Sequence, residues 1–472
     1  MKSVGSRGLS ILIGVFALIA LLAAPVQAGY LDDIGYTQLV AELGAGVPTG
    51  SGISVSQVEA KDSSNNYSPN TASTSFTGKT FTLKSGATGI SSHATTVGTY
   101  LYGNSGMGKG VAAINNWEAG NWLQSGFLKT GTTLAPLVET QRVQNNSWVG
   151  SFGAGYEAYD IEALRRFDYT ISRDNYVAVV GVNNGSSTTV PNLLAASYNS
   201  IAVGVSSGNH SRGTTLIDTV GRVKPDIVAP ATYTSYATPM VGAAATMLLQ
   251  TADGSPALVN ARNSESVKAI LLAGATKEEF ATWDRTTTRP LDEVYGAGEL
   301  NIYNSYHILT AGEQNASAVS DVQTTGWDFD AAPTSGQMKY YFFEVADGTS
   351  MSDLSVILTW NRTITDTLNG PSWGSPASSL ANLDLWLYAA DGFALGSLLD
   401  SSVSTLDNVE HIYQTDLAAG RYAIAVNSDT AGTDFSLAWR STLMTLDIPE
   451  PCTLVLLAGG GLALMLRRRK AA

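Results

Sequence analysis

The sequence predicts an α/β region with a parallel sheet flanked by helices, followed by an all-β sandwich. Between about residues 37 and 310, apolar strand-like runs at 53–58, 176–182 and 200–205 alternate with helix-like stretches. Strands interleaved with helices are typical of a parallel sheet that is covered on both faces. Beyond about residue 311 the pattern changes to short alternating runs separated by turn residues, which is typical of antiparallel strands.

The individual elements follow this division. The helix-like stretches lie at 93–101, 156–171, 240–250 and 265–273. The later strand-like runs lie at 339–345, 355–360, 383–388, 422–426 and 435–439, with turn residues at Asp391-Gly392 and Ala419-Gly420. Because such pairs between apolar runs favour tight turns, the second region is expected to be a β-sandwich.

The first 28 residues have the pattern of a secretory signal peptide. Lys2 and Arg7 precede an apolar run at 11–24, and residues 26–28 (Val-Gln-Ala) form a small-residue cleavage site. We therefore expect a mature chain that leaves the cytoplasm, with a first folded region at 29–312.

A second apolar run, at 452–466, lies near the C-terminus. It follows Pro449-Glu450-Pro451 and is followed directly by three arginines and a lysine at 467–470. About fifteen apolar residues is short for a membrane-spanning helix, which needs about 20. A plain C-terminal anchor is one interpretation. The order of these features also resembles the PEP-CTERM sorting signal of Gram-negative bacteria. That resemblance implies transient anchoring of a 448–472 tail at the inner membrane, capture by an exosortase-type enzyme, and removal of the tail.

Composition narrows the possible partners. The formal net charge of −13 argues against nucleic acid as a partner, although general solubility explains an acidic surface equally well. The only cysteine, Cys452, lies in the predicted tail. A mature body without disulfides is therefore expected, even though an extracytoplasmic compartment would permit them.

Ser235 is the candidate nucleophile. It lies in Thr-Ser-Tyr-Ala-Thr-Pro-Met at 234–240, after Val-Lys-Pro-Asp-Ile-Val-Ala-Pro at 223–230. It would stand at the start of the predicted 240–250 helix, where unpaired N–H groups favour negative charge, and Pro239 suits a first helical turn. Thr-Ser before a helix is also an ordinary N-cap, so other residues must decide. Both phrases resemble the nucleophile region of the subtilisin-like serine peptidases, the subtilases.

A serine nucleophile needs a base, and an acid that orients the base. Among the four histidines, His93 stands in Ser-His-Ala-Thr-Thr-Val-Gly-Thr at 92–99, which is similar to the subtilase motif His-Gly-Thr-His-Val-Ala-Gly. The resemblance implies that His93 is the base. Segment 52–60 aligns with the first strand of that family, which normally leads to an aspartate; this chain has Glu59. Its carboxylate is one methylene longer and can still orient a histidine. Asp62 is the alternative acid, and a chain without a working acid is the third possibility.

The resemblance also implies a donor for the oxyanion. Segment 179–185 is similar to the family motif Ala-Ala-Gly-Asn-x-Gly, which makes Asn183 the side-chain donor beside the Ser235 N–H. Asn-Asn-Gly is also an ordinary turn sequence. Val182 and Tyr233 each stand where the family usually has a glycine, so the direction of the amide and the approach of a substrate are open questions.

Substrate binding is implied by one further segment. Residues 144–150 resemble the family segment that pairs with the substrate as an added strand. Ser147 and Trp148 should border the first specificity pocket, and Val149 replaces a common glycine and would narrow it. A purely structural role for Trp148 in the core is the alternative.

The second region, 313–445, has phrases at 383–387, 407–412 and 419–422 that are similar to bacterial pre-peptidase C-terminal domains, which implies a jelly-roll-like sandwich. Taken together, the resemblances imply a secreted or cell-surface serine endopeptidase that hydrolyses polypeptides without a cofactor. Calcium sites are common among subtilases, but no loop is dense enough in aspartate to assign one. A catalytically impaired protein that binds polypeptide or matrix polysaccharide at the cell surface is the alternative.

Overall fold

A computed structural model describes residues 29–331, 334–366, 371–374, 376–428 and 430–445. The predicted signal peptide, the sorting tail and Cys452 lie outside the described residues. Within those residues, no helix is both long enough and apolar enough to cross a bilayer.

Eight α-helices occur in the described chain, all before residue 311. They are α1 (Tyr30–Asp33), α2 (Tyr36–Leu43), α3 (Ser92–Tyr102), α4 (Ala119–Asn121), α5 (Glu157–Asp174), α6 (Thr234–Asp253), α7 (Ser264–Gly274) and α8 (Ile302–Thr310). The nine strands of the same region are β1 (Val55–Glu59), β2 (Thr80–Leu83), β3 (Ala113–Glu118), β4 (Val143–Asn146), β5 (Val177–Gly181), β6 (Ile201–Val205), β7 (Gly213–Thr214), β8 (Val223–Lys224) and β9 (Ile227–Ala229).

Seven of these strands form one sheet, in the order β2-β3-β1-β4-β5-β6-β9. All six strand pairs are parallel, which confirms the predicted sheet type. Strands β7 and β8 pair separately as a short antiparallel ribbon.

Both faces of the parallel sheet are covered. In β5, Val177 and Val179 belong to the core shared with α3 and α6, whereas Ala178 and Val180 belong to a second core shared with α5. Because side chains alternate across a strand, a strand buried on both faces has a continuous apolar sequence. The run at 176–182 is such a sequence, and it folds as predicted.

The central helix α6 is longer than the sequence indicated. It runs over Thr234–Asp253 instead of 240–250, and fifteen of its residues are buried. Gly242 permits its close approach, because an added Cβ there would lie 2.9 Å from Leu101 of α3 and 3.2 Å from Val179 of β5. The earlier start places Ser235 inside the first helical turn.

The described residues of the second region form ten strands. They are β10 (Gly326–Asp330), β11 (Lys339–Val345), β12 (Thr349–Trp360), β13 (Thr363–Thr365), β14 (Ala377–Ser379), β15 (Leu383–Asp391), β16 (Ala394–Ser402), β17 (Val409–Leu417), β18 (Gly420–Ser428) and β19 (Phe435–Thr445). Two four-stranded antiparallel sheets, β10-β19-β12-β17 and β11-β18-β15-β16, share one hydrophobic core. The predicted all-β region is therefore present.

Five of these strands, β10, β13, β14, β16 and β17, were not predicted. The clearest case is β16, an edge strand in which Leu395, Leu398 and Leu399 are all exposed. A strand with no buried face has no reason to alternate apolar and polar residues, so the sequence carries no signal for it.

Arg362 joins the two regions. This buried residue follows β12, and its guanidinium bonds Asp168 of α5 at 2.8 Å and Asp218 at 2.6 Å. Its backbone N–H donates to the side-chain oxygen of Asn199 at 2.7 Å, and the Asn199 amide donates back to the Arg362 carbonyl at 3.0 Å. The sandwich is thus bonded to the α/β region through a desolvated ion cluster.

Candidate active site

Three neighbouring strands of the parallel sheet, β1, β4 and β5, deliver candidate residues to one edge. Glu59 is the last residue of β1, Ser147 directly follows β4, and Asn183 lies two residues after β5. The carboxyl ends of parallel strands meet at the same edge, where open α/β sheets bind their ligands. The topology therefore assembles residues that are far apart in the sequence.

Glu59 and His93 are in direct contact. The Nδ1 atom of His93, the second residue of α3, lies 2.7 Å from Glu59 Oε2. Glu59 is 1% exposed, whereas the His93 side chain is 40% exposed. A buried carboxylate thus holds one ring nitrogen, and the rest of the imidazole stays open to the cleft.

The second oxygen of this carboxylate is held by Gln57. The Gln57 side-chain amide donates to Glu59 Oε1 at 2.8 Å and to the Ala94 carbonyl at 2.9 Å. Its own oxygen accepts hydrogen bonds from the Tyr102 hydroxyl and from Asn116. Because both donors and the acceptor of Gln57 are used, its amide has one orientation, and Glu59 is fixed as an acceptor.

The same contact changes the acid–base behaviour of the histidine. The hydrogen bond to Glu59 raises the pKa of His93 above its ordinary value, and it outweighs the opposing effect of partial burial. The imidazolium form is therefore stabilised. A base that must hold a proton in the middle of a reaction needs this property.

The carbonyl of Ser235 has an unusual partner. In an α-helix the N–H of residue 239 would donate to this carbonyl, but Pro239 has no N–H. The Ser147 hydroxyl donates to it instead, at 3.0 Å. The expectation that Pro239 lies in the first turn is wrong, because α6 begins at Thr234. The cost of a proline further inside is offset by this side-chain donor.

Three backbone N–H groups at the start of α6 already have acceptors. The N–H of Thr234 is held by the Asn184 side chain at 3.0 Å, and those of Tyr236 and Ala237 are held by the Tyr233 carbonyl. Across the described ranges, the N–H of Ser235 and the side-chain amide of Asn183 donate to no protein group. Both therefore remain available to an anionic oxygen.

These donors face a common space. A cavity of about 90 Å³ is lined by Ser147, Trp148, Asn183 and Ser235, together with Val149, Gly181, Val182, Asn184 and Thr234. A wider cavity of about 290 Å³ shares Val149 and Asn183 with it. Four of the six predicted site residues thus line one cavity, and the other two form the Glu59–His93 pair.

His93 lies close to the residue that follows Ser235 in α6. Its ring is 6.1 Å, centroid to centroid, from that of Tyr236, the residue that follows Ser235. In the portion of the chain that is described, the Ser235 hydroxyl makes no hydrogen bond to His93. Catalytic hydrogen bonds are often long without substrate and tighten in the complex.

The alternative acid, Asp62, is occupied elsewhere. Its Oδ1 atom accepts the backbone N–H groups of Ser64 at 2.8 Å and Asn66 at 2.9 Å, so it stabilises its own loop. The carboxylate that contacts His93 is that of Glu59.

The departures from the expected glycines cause no backbone strain. Tyr233 is the N-cap of α6 with φ −132° and ψ 148°, which is ordinary extended backbone, and its side chain is 51% exposed. Val182 continues the sheet, donating to Val203 and accepting the Thr234 hydroxyl at 2.7 Å. Neither position needs a glycine.

Trp148 is a core residue that also lines the cavity. It is 8% exposed and packs edge-to-face on Trp122 with ring centroids 6.2 Å apart, so it is a core residue. Its indole N–H donates to Asn146 at 3.3 Å, and the residue also lines the cavity beside Ser235.

Sequence reasoning missed Gln57 and Asn184. Gln57 orients Glu59, and Asn184 holds the start of α6. One signal was present for Gln57: strand β1 is buried throughout, yet it contains the polar residues Ser56, Gln57 and Glu59. Buried polar residues in a central strand need partners, which indicates a bonded network. No cluster of three potential metal-ligating His, Cys, Asp or Glu residues occurs in the part of the chain that the structure describes.

No protein-family model matches this chain, and no curated protein matches it. Among solved structures, one described as proteases from Pseudoalteromonas arctica is similar, with a TM-score of 0.36 and 14% identity. The match covers 59% of this chain and 97% of that chain. So low a similarity carries no conclusion about activity.

Proposed function

We propose that this chain is a secreted, subtilase-like serine endopeptidase with a Ser-His-Glu triad. Ser235 is the nucleophile, His93 the base and Glu59 the acid that orients the base. Asn183 and the Ser235 N–H are the oxyanion donors. The substrate is polypeptide, bound beside Ser147 and Trp148.

Each residue has one part in the reaction. His93 Nε2 takes the hydroxyl proton of Ser235 as its Oγ attacks the scissile carbonyl, and Glu59 balances the imidazolium that forms. The carbonyl oxygen becomes negative and is held by the two free donors. His93 then gives its proton to the leaving amine. Water hydrolyses the acyl-serine by the same steps, with His93 again as the base.

The hydrogen bond between Glu59 and His93 carries this proposal. A buried carboxylate with both oxygens bonded, at 2.7 Å from a half-exposed imidazole, is more than a surface ion pair. It lies at the sheet edge where Asn183 and Ser235 line a cavity, and among the described residues the Asn183 side-chain amide and the Ser235 N–H have no acceptor. A structural histidine would not need this combination.

Active-site labelling tests the assignment. A fluorophosphonate probe should react with Ser235, located by peptide mass mapping, and the protein should hydrolyse an unfolded protein substrate. Ser235→Ala should abolish both, because the nucleophile is lost, and it should leave the melting temperature nearly unchanged. Ser186→Ala, an exposed serine outside the cavity, is the matched control. Full hydrolysis by Ser235→Ala would contradict the proposal.

A second candidate is a catalytically impaired protein that binds polypeptide. The missing hydrogen bond between the Ser235 hydroxyl and His93 favours it. It predicts that the wild type binds unfolded polypeptide, is not labelled by the probe and hydrolyses nothing.

We also propose that the protein is exported and that its C-terminal tail is removed. The order of Pro449-Glu450-Pro451, a short apolar run and a basic cluster supports processing by an exosortase-type enzyme over permanent anchoring. Intact-mass measurement on native material should give a C-terminus near residue 450. A mature chain that still carries residues 467–470 would refute processing.

A further inference from the structure

Four tyrosines form a row that begins at the candidate catalytic residues. Tyr236 lies beside His93, Tyr100 stacks on Tyr236 with centroids 5.7 Å apart, and Tyr30 meets Tyr100 edge-to-face at 5.3 Å. Tyr233 meets Tyr236 edge-to-face with centroids 5.7 Å apart. We call Tyr30, Tyr100, Tyr233 and Tyr236 the tyrosine row. It is built from α1, α3 and the start of α6, so the fold assembles it from three separate segments.

The row lies at the boundary between the core and the surface: Tyr30 and Tyr100 pack against the core of the α/β region, and all four side chains keep some exposure. Tyr233 is 51% exposed, and the other three are partly exposed. Within the described part of the chain, none of the four hydroxyls donates a hydrogen bond to a protein group. Buried tyrosines usually find such a partner. The exposed parts of these rings and their unused hydroxyls therefore remain available to a ligand.

The position of the row identifies which half of a substrate it would meet. Ser147 and Asn183, which line the cavity, follow the neighbouring strands β4 and β5, whereas the row extends from His93 along α3. In the proposed reaction His93 gives its proton to the leaving amine, so the leaving-group half of the polypeptide must pass beside His93. The ring next to His93 there is Tyr236, and the row continues from it.

We propose that the tyrosine row binds the leaving-group half of the substrate and selects apolar or aromatic side chains after the scissile bond. This inference rests on the proposed peptidase function. The distances between successive ring centroids, starting at His93, are 6.1, 5.7 and 5.3 Å. The row therefore extends at most about 17 Å from His93, which is roughly the length of five residues of extended chain. Tyr236 and Tyr100 meet the first three residues after the bond, and Tyr30 meets the fourth and fifth.

Matched peptides test this. Two quenched-fluorescence peptides share one acyl half and carry five leaving-group residues, apolar and aromatic in one peptide and small and polar in the other. The wild type should cleave the apolar peptide with a higher kcat/KM. Tyr100→Ala should lower the ratio of the two kcat/KM values by about three- to tenfold, the effect of one aromatic contact. Tyr100→Phe should keep the ratio, because the ring remains.

Further variants control for folding and distance. Tyr30→Ala lies at the far end of the row, so it should lower the ratio for five-residue leaving groups and not for two-residue ones. Tyr388→Ala, a half-buried tyrosine of β15, should change neither ratio, and melting temperatures identify any unfolded variant. A wild type that cleaves both peptides equally, or alanine variants of the row that keep the wild-type ratio, would overturn this inference and leave the peptidase proposal standing. A wild type that cleaves neither peptide and takes no fluorophosphonate label would overturn both.

Discussion

Glu59→Gln is the most informative substitution, because the structure defines what an amide would meet at this position. Gln57 donates to Glu59 Oε1, and His93 Nδ1 lies 2.7 Å from Oε2. The orientation of Gln57 is set by Tyr102 and by the Ala94 carbonyl. A glutamine at 59 must therefore place its oxygen toward Gln57 and its NH₂ toward His93.

That orientation of the glutamine amide selects the opposite tautomer of His93. An NH₂ facing Nδ1 requires Nδ1 to accept, which puts the proton on Nε2, and a protonated Nε2 cannot take the Ser235 proton. Turning the amide over would set its NH₂ against the Gln57 donor instead. Either way the imidazolium also loses its balancing charge. We expect kcat to fall about 10³- to 10⁴-fold, or roughly 4 to 5.5 kcal/mol of activation free energy.

The assay is kcat and kcat/KM on one peptide, with the melting temperature measured alongside. Asp62→Asn is the matched control and should be nearly silent, since Asp62 bonds only its own loop. Glu59→Asp should retain partial activity, because its carboxylate is one methylene short of His93. A Glu59→Gln enzyme within tenfold of wild type, with an inactive Asp62→Asn, would refute the assignment of the acid.

Three further predictions follow from the same geometry. In steady-state kinetics, Asn183→Ala should lower kcat by about 10²- to 10³-fold with little change in KM, because it removes a donor used only when the oxyanion forms. An unchanged kcat would exclude this role. Glu59 raises the pKa of His93, and only neutral His93 is a base. The value of kcat/KM should therefore rise with pH through a midpoint above the ordinary histidine pKa of about 6.5. A pH–rate profile with a midpoint below that pKa would contradict this pairing. Arg362→Ala should lower the free energy of unfolding by about 3 to 5 kcal/mol in denaturant titration, because it leaves the buried carboxylate of Asp168 without its ion-pair partner, whereas Asp218 keeps Arg165. Arg421→Ala, which removes a partner of the exposed Glu344, should change it by less than about 1 kcal/mol.

The sequence by itself determined the layered architecture, and it predicted the residues of the candidate site. The apolar run at 176–182 could be predicted to be a strand buried on both faces, because such burial selects against polar residues at every position. The candidate residues Glu59, His93, Asn183 and Ser235 were predicted because each lies in a short segment that resembles a motif of a known family. The start of α6 could not be predicted from the sequence, because Pro239 suggested a first turn and the donor that replaces its N–H comes from Ser147.

Only the tertiary structure decided which groups act on one another. Gln57 orients Glu59, Ser147 holds the Ser235 carbonyl from 88 positions away, and Asn199 bonds Arg362 across 163 positions. The tyrosine row likewise joins α1, α3 and α6, which share no sequence pattern. Hydrogen bonds and ring contacts depend on distances of a few ångströms, and such distances between remote segments exist only after the chain has packed.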